Sequence, residues 1–144
     1  MRVISARNQL SGKVSAIFEG SVNNEVIITL DNGDEIVTVI TKQSCNTLGI
    51  TLERSVVAII KAPWVVLASK DSGFSFSARN QFEGIIRTIN RGAVNSTVGF
   101  ETAKGLLLTA VVTNESVEEM ALKEGGEILG LVKASSIIVG TPKK

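Results

Sequence analysis

The 144-residue sequence has no histidine, no tyrosine, one cysteine, two prolines and only 4% aromatic residues. Each shortage removes a class of function. Without histidine the chain lacks the usual general base and the commonest metal ligand. Cys45 alone allows neither an internal disulfide framework nor a cysteine-based zinc site, and it fits a reducing compartment. Its expected role is that of a small buried hydrophobe. Few aromatics in a chain that is 44% hydrophobic mean a core of Val, Ile, Leu and Ala, whose β-branched excess favours strands. The net charge of +1 lacks the basic surplus of an electrostatic nucleic-acid binder. No apolar run approaches the ~20 residues of a membrane helix. The first residues, Met1-Arg2-Val3-Ile4-Ser5, form no apolar leader. A cytoplasmic chain with no membrane or nucleic-acid partner is therefore expected.

What the sequence does have is a repeat. Ser5-Ala6-Arg7-Asn8-Gln9 recurs as Ser77-Ala78-Arg79-Asn80-Gln81, an offset of 72 residues that holds without a gap to the end. Gly20 falls on Gly92, Val22-Asn23 on Val94-Asn95, Thr41 on Thr113, Ser44 on Ser116 and Lys61-Ala62 on Lys133-Ala134. Two copies of about 64 residues are each marginal alone, so pairing or oligomerisation is expected. The predicted domains are residues 1–68 and 77–144, joined by a short polar linker at 69–76.

Within the first copy, alternation predicts a strand near Leu10–Ile17 and another near Val26–Leu30. The hairpin signal Asp31-Asn32-Gly33-Asp34 precedes a third strand at Ile36–Ile40. Thr41 is an N-cap candidate for a short helix closed by Gly49. Two more strands follow, at Val56–Ile60 and Val65–Leu67, and the second copy repeats the order. Five short strands with one small helix between the third and fourth predict an all-β fold with short helices: two tandem OB-fold-like five-stranded β-barrels.

The polar residues kept in both copies are Ser5, Arg7, Asn8, Asn23, Thr41, Ser44 and Lys61 with their equivalents, and none is acidic. Hydrogen-bond donors with two fixed positive charges suit an anion. They do not suit a metal cation or general-base catalysis, so no enzyme and no catalytic residue is expected. Bland readings compete at each position. Thr41 and Ser44 can simply cap a helix, Lys61 can be a solvated strand end, Arg7 can pair with a carboxylate, and Asn23 and Asn95 can be turn formers. Joint retention favours a site.

Ser-Ala-Arg-Asn-Gln, Gly-x-Val-Asn, Thr-x-x-Ser and the late Lys-Ala together resemble the molbindins, small cytoplasmic molybdate-binding proteins, in their tandem two-copy form. The resemblance covers nearly the whole chain. It implies molybdate or tungstate as ligand, no catalytic cofactor, and a homotrimer that stores, buffers or delivers the anion. It implies one class of site between subunits, from Ser5, Ala6, Arg7, Thr41, Ser44, Lys61 and Ala62 with Ser77, Ala78, Arg79, Thr113, Ser116, Lys133 and Ala134. A second, axial class is implied at Gly20, Val22 and Asn23 with Gly92, Val94 and Asn95. Glu19 precedes the first of these turns and Arg91 the second, so tighter binding is expected at the Asn95 end. Glu53-Arg54 departs from the usual glycine-containing turn, which the second copy keeps as Gly125-Gly126. The rival reading is an OB-fold nucleic-acid-binding module, which needs exposed aromatics and a basic groove.

Overall fold

The computed structural model describes residues 4–143, so the outermost ends of the predicted domains lie outside the described residues. Ten strands form two antiparallel five-stranded sheets. The first half supplies β1 (Asn8–Glu19), β2 (Asn23–Leu30), β3 (Glu35–Thr41), α1 (Lys42–Leu48), β4 (Ser55–Ile60) and β5 (Val66–Ala68). The second half supplies β6 (Asn80–Arg91), β7 (Asn95–Thr102), β8 (Leu107–Thr113), α2 (Asn114–Glu119), β9 (Glu127–Val132) and β10 (Ile138–Gly140). A single 3₁₀ turn precedes each last strand, at Ala62–Trp64 and at Ala134–Ser136. No helix among the described residues is long and apolar enough to cross a membrane.

Strand type, number and order per repeat match the sequence expectation. The partner of the last strand does not. The sheets run β10-β4-β1-β2-β3 and β5-β9-β6-β7-β8, so each repeat gives its fifth strand to the other repeat's sheet. By contacts, the compact units are accordingly residues 4–60 with 133–143 (unit 1) and residues 61–132 (unit 2), a division that cuts across the two sequence repeats. The reason is a degeneracy of register. Ile138 pairs with Ile59 and Val66 with Leu131, and in repeat coordinates these are the same pair. A hydrophobic pattern specifies which face of a strand is buried. It cannot specify which of two equivalent ladders the strand joins.

The cores follow the period-2 rule. In β2 and β7 buried residues alternate strictly with half-buried ones. Val14, Val26, Ile28, Ile36, Ala58 and Ile60 fill unit 1, with Ile137 and Val139 from the far end of the chain. Ile86, Val98, Phe100, Leu108, Ile128 and Val132 fill unit 2, with Val65 and Leu67. The long first strand of each unit serves two ladders. It changes register between Val14 and Ala16, and between Ile86 and Thr88, a bulge that lets one strand turn the corner of the sheet.

Candidate functional site

The Ser-Ala-Arg-Asn-Gln segment is shaped by its last two residues. Gln9 donates its side-chain amide to the carbonyls of Ile4 (3.0 Å) and Ala6 (2.8 Å), and Gln81 does the same to Phe76 and Ala78 (3.0 Å each). Asn8 is 3% exposed and donates to the carbonyl of Ile60, its ladder partner, at 3.2 Å; Asn80 donates to Val132 at 3.3 Å. Each carbonyl so held immediately precedes the retained lysine, Lys61 or Lys133. Asn8 and Gln9 thus fix the backbone on both sides of the Ser-Ala-Arg donors. Their letter-for-letter repetition is the sequence signal for this role.

The 3₁₀ turn opened by Lys133 packs against β3, whose last residue is Thr41; the turn opened by Lys61 packs against β8, which ends at Thr113. The strand exchange therefore packs the 3₁₀ turn after each retained lysine against the strand that leads into the other repeat's Thr-x-x-Ser. Unit 1 contains Ser5, Ala6, Arg7, Thr41, Ser44, Lys133 and Ala134. Unit 2 contains Ser77, Ala78, Arg79, Thr113, Ser116, Lys61 and Ala62. Ala62 and Ala134 are buried, while both lysines are exposed. Among the described residues, none of the ion pairs at Lys42, Lys70, Arg87 and Arg91 consumes Arg7, Lys61 or Lys133. Lys61 lies over the Trp64 ring, 5.5 Å from its centroid.

Thr41 and Thr113 do cap their helices. Each hydroxyl oxygen accepts from the backbone N–H of Ser44 or Ser116 at 3.1 Å, and Thr113 also donates to the Ser116 hydroxyl at 2.9 Å. The bland reading is correct for the threonines, and that N–H is occupied.

The Gly-x-Val-Asn turns join the first two strands of each repeat, β1 to β2 and β6 to β7. Gly20 N–H donates to Asn23 O at 3.0 Å, and Gly92 N–H to Asn95 O at 2.9 Å. A Cβ on Gly20 would lie 2.5 Å from the Asn23 oxygen, and on Gly92 2.7 Å from that of Asn95, so only glycine closes the turn. The tips, Val22 and Val94, are 68% and 70% exposed. Asn23 is the ladder partner of Thr41, and Asn95 of Thr113. The two residue classes, 18 positions apart in sequence, meet at one end of each sheet.

The charges that flank the turns each have an ion-pair partner. Glu19 pairs with Lys42 at 3.1 Å, and Arg91 pairs with Glu118. Each end charge therefore has an opposite charge beside it. Among the described residues no cluster of three or more His, Cys, Asp or Glu can hold a metal cation.

The TOBE domain matches residues 4–67 and 77–139. The chain belongs to the TOBE-domain family. As a member of it, the chain is 44% identical to the cytoplasmic molybdate-binding protein ModG, solved with molybdate bound. The two superpose with a TM-score of 0.92 over 98% of this chain and 100% of that one. It is 38% identical over 135 residues to the molybdenum transport protein ModE of Herbaspirillum seropedicae, covering 94% of this chain and 50% of that protein. It is 33% identical over 138 residues to the molybdenum-pterin-binding protein MopA of Rhodobacter capsulatus, covering 96% and 52%. To the DNA-binding transcriptional dual regulator ModE of Escherichia coli K12 the identity is 34% over 139 residues, covering 95% and 52%. The chain spans about half the length of the curated relatives it matches. These relatives are named as binding, transport or regulatory proteins, and the tandem match bears out the family resemblance read from the repeated motifs.

Proposed function

We propose that this TOBE-family chain binds molybdate or tungstate as a cytoplasmic oxyanion store, buffer or delivery module, without catalysis. One observation carries the reading: the 44% identity to ModG, a protein solved with molybdate, runs through both repeats and leaves almost no residue of either chain unmatched. The donor set supports it independently. Among the described residues, Arg7 and Lys133 are exposed cations in no ion pair, in the unit that also holds Ser5 and Ser44, and a dianion needs such charges beside neutral donors. We place one class of site on Ser5, Arg7, Thr41, Ser44, Lys133 and Ala134, with its unit 2 equivalents, completed across subunits of a homotrimer. The turn residues Gly20, Val22 and Asn23, with Gly92, Val94 and Asn95, form the second class. There backbone N–H groups and Asn amides act as a nest.

Isothermal titration with molybdate, tungstate, sulfate and phosphate tests the proposal. Molybdate and tungstate should bind tightly and the two smaller or protonated anions weakly. Comparable affinity for sulfate would refute an assignment to the larger oxyanions.

A further inference from the structure

Neither Gly-x-Val-Asn turn contains a cation, yet each has one beside it, and in each case a carboxylate holds it. In unit 1 Lys42 opens α1. Its backbone N–H donates to Val22 O at the turn tip (2.9 Å), and its ammonium pairs with Glu19, the residue before Gly20. In unit 2 Asn114 opens α2, and its N–H donates to Val94 O (2.9 Å). The cation there is Arg91, the residue before Gly92, and its partner is Glu118 on α2. The polarity is reversed between the units. The strand end supplies the acid in unit 1 and the base in unit 2. Glu19 is equivalent to Arg91, and Lys42 to Asn114, so neither repeat keeps the other's charges at these positions. What both keep is a cation–carboxylate pair from strand end to helix, alongside the turn.

Both pairs are open to solvent, with side-chain exposures of 42% and 71% for Lys42 and Glu19, and 51% and 63% for Arg91 and Glu118. An exposed pair contributes little as a staple. It has a larger effect on an arriving dianion, because the carboxylate cancels the attraction of the cation it covers.

Resting on the turn sites proposed above, we infer that Glu19 and Glu118 are internal competitors of the bound oxyanion. A tetrahedral dianion reaching the Gly20–Asn23 turn recruits Lys42 and releases Glu19. One reaching the Gly92–Asn95 turn recruits Arg91 and releases Glu118. Occupancy of each turn is then set by its own ion pair, and not by the sign of the residue preceding the glycine.

The test is a molybdate titration of the full chain, followed through the backbone amide resonances of Val22 and Asn23 against those of Val94 and Asn95. Glu19→Gln should lower the midpoint at the first turn about two- to fivefold, the range an exposed pair commands, and leave the second unchanged. Glu118→Gln should do the converse. Lys42→Gln and Arg91→Gln should raise the midpoint of their own turns. The double variant Glu19→Lys/Lys42→Glu, which gives unit 1 the polarity of unit 2, should behave as the wild type. High salt should abolish the differences. Turn amides that respond to molybdate but ignore Glu19→Gln and Glu118→Gln would overturn the competition alone, as would lowered thermal stability with unmoved midpoints. Wild-type turn amides that never respond, while residues around Ser5 and Ser44 do, would overturn the turn sites and this inference with them.

Discussion

Units 1 and 2 solve the same packing problem with different residues, and the differences come in compensating sets. Where the core of unit 1 has Ile28 and Ala58, unit 2 has Phe100 and Gly130 at the equivalent positions. A Cβ on Gly130 would lie 2.5 Å from the Phe100 ring, so the larger residue is possible only because its neighbour has no side chain. Backbone strain is distributed in a similar way. Gly49 (φ 67°) corresponds to Ala121 (φ 51°), and Gly125 (φ 86°) to Glu53 (φ 71°). Each unit meets one left-handed position with glycine and forces an ordinary residue through the other. The Glu53 departure noted from sequence is therefore a strained position, whereas Gly33 and Gly105 (φ 100° and 88°) keep glycine in both units. A difference between the repeats is informative only alongside its partner within the same unit.

The largest expected effect tests whether the lysines have changed sides. Lys133→Ala should weaken oxyanion binding roughly ten- to a hundredfold at the site that Ser44 serves, the loss of a charged hydrogen bond. Lys61→Ala should do so at the site of Ser116. In calorimetry, Lys133→Ala combined with Ser44→Ala should leave the proposed inter-subunit sites of unit 2 intact. Lys133→Ala combined with Ser116→Ala should leave no intact inter-subunit site, only the turn sites. The reverse outcome would assign each lysine to its own repeat.

Gly130→Ala should destabilise the chain by about 1–3 kcal/mol through overpacking, read as a lower denaturant midpoint. Adding Phe100→Ile should restore most of it, because the pair then matches unit 1. A smaller gain is expected from relieving backbone strain. Glu53→Gly or Ala121→Gly should each stabilise by up to about 1 kcal/mol, the left-handed cost less the flexibility of glycine. Gly49→Ala and Gly125→Ala should destabilise by a similar amount. The smallest effect concerns the ion pairs Arg87–Glu101 (3.1 Å) and Lys70–Glu127 (3.6 Å), which unit 1 replaces with Ser15, Thr29, Pro142 and Ser55. Glu127→Gln should change stability by less than about 0.5 kcal/mol, so the thermal midpoint should barely move.

Much of the fold is legible in the sequence, because alternation and punctuation are local signals. Asp31-Asn32-Gly33-Asp34 fixes the β2–β3 hairpin, and Thr41 with Gly49 brackets α1 at the expected ends. The destination of β5 and β10 is not local. Two equivalent ladders present the same partners, and nothing in Val66 or Ile138 distinguishes them. At the proposed site, Arg7, Ser44 and Lys133 are legible because the same residue types stand at the equivalent positions of both copies. The Glu19–Lys42 and Arg91–Glu118 pairs escape a comparison of repeats because their charges sit at non-equivalent positions, 23 and 27 residues apart. Only coordinates bring such partners together, and they add an opposite charge beside Glu19 and beside Arg91.

The exchange of last strands also governs what a cut in the chain would do. Scission between Ser69 and Phe76 leaves an amino-terminal piece that carries β5 and a carboxy-terminal piece that carries β10. Each piece is hydrogen-bonded into the sheet that the other provides. The covalent link would be gone, yet neither piece can leave without stripping an edge strand and its buried residues, Leu67 or Val139, from its host. The nicked protein should therefore travel as one species on a sizing column and come apart only in denaturant. In that sense the two halves are interlocked, and the connecting segment is dispensable to their union once folding is complete.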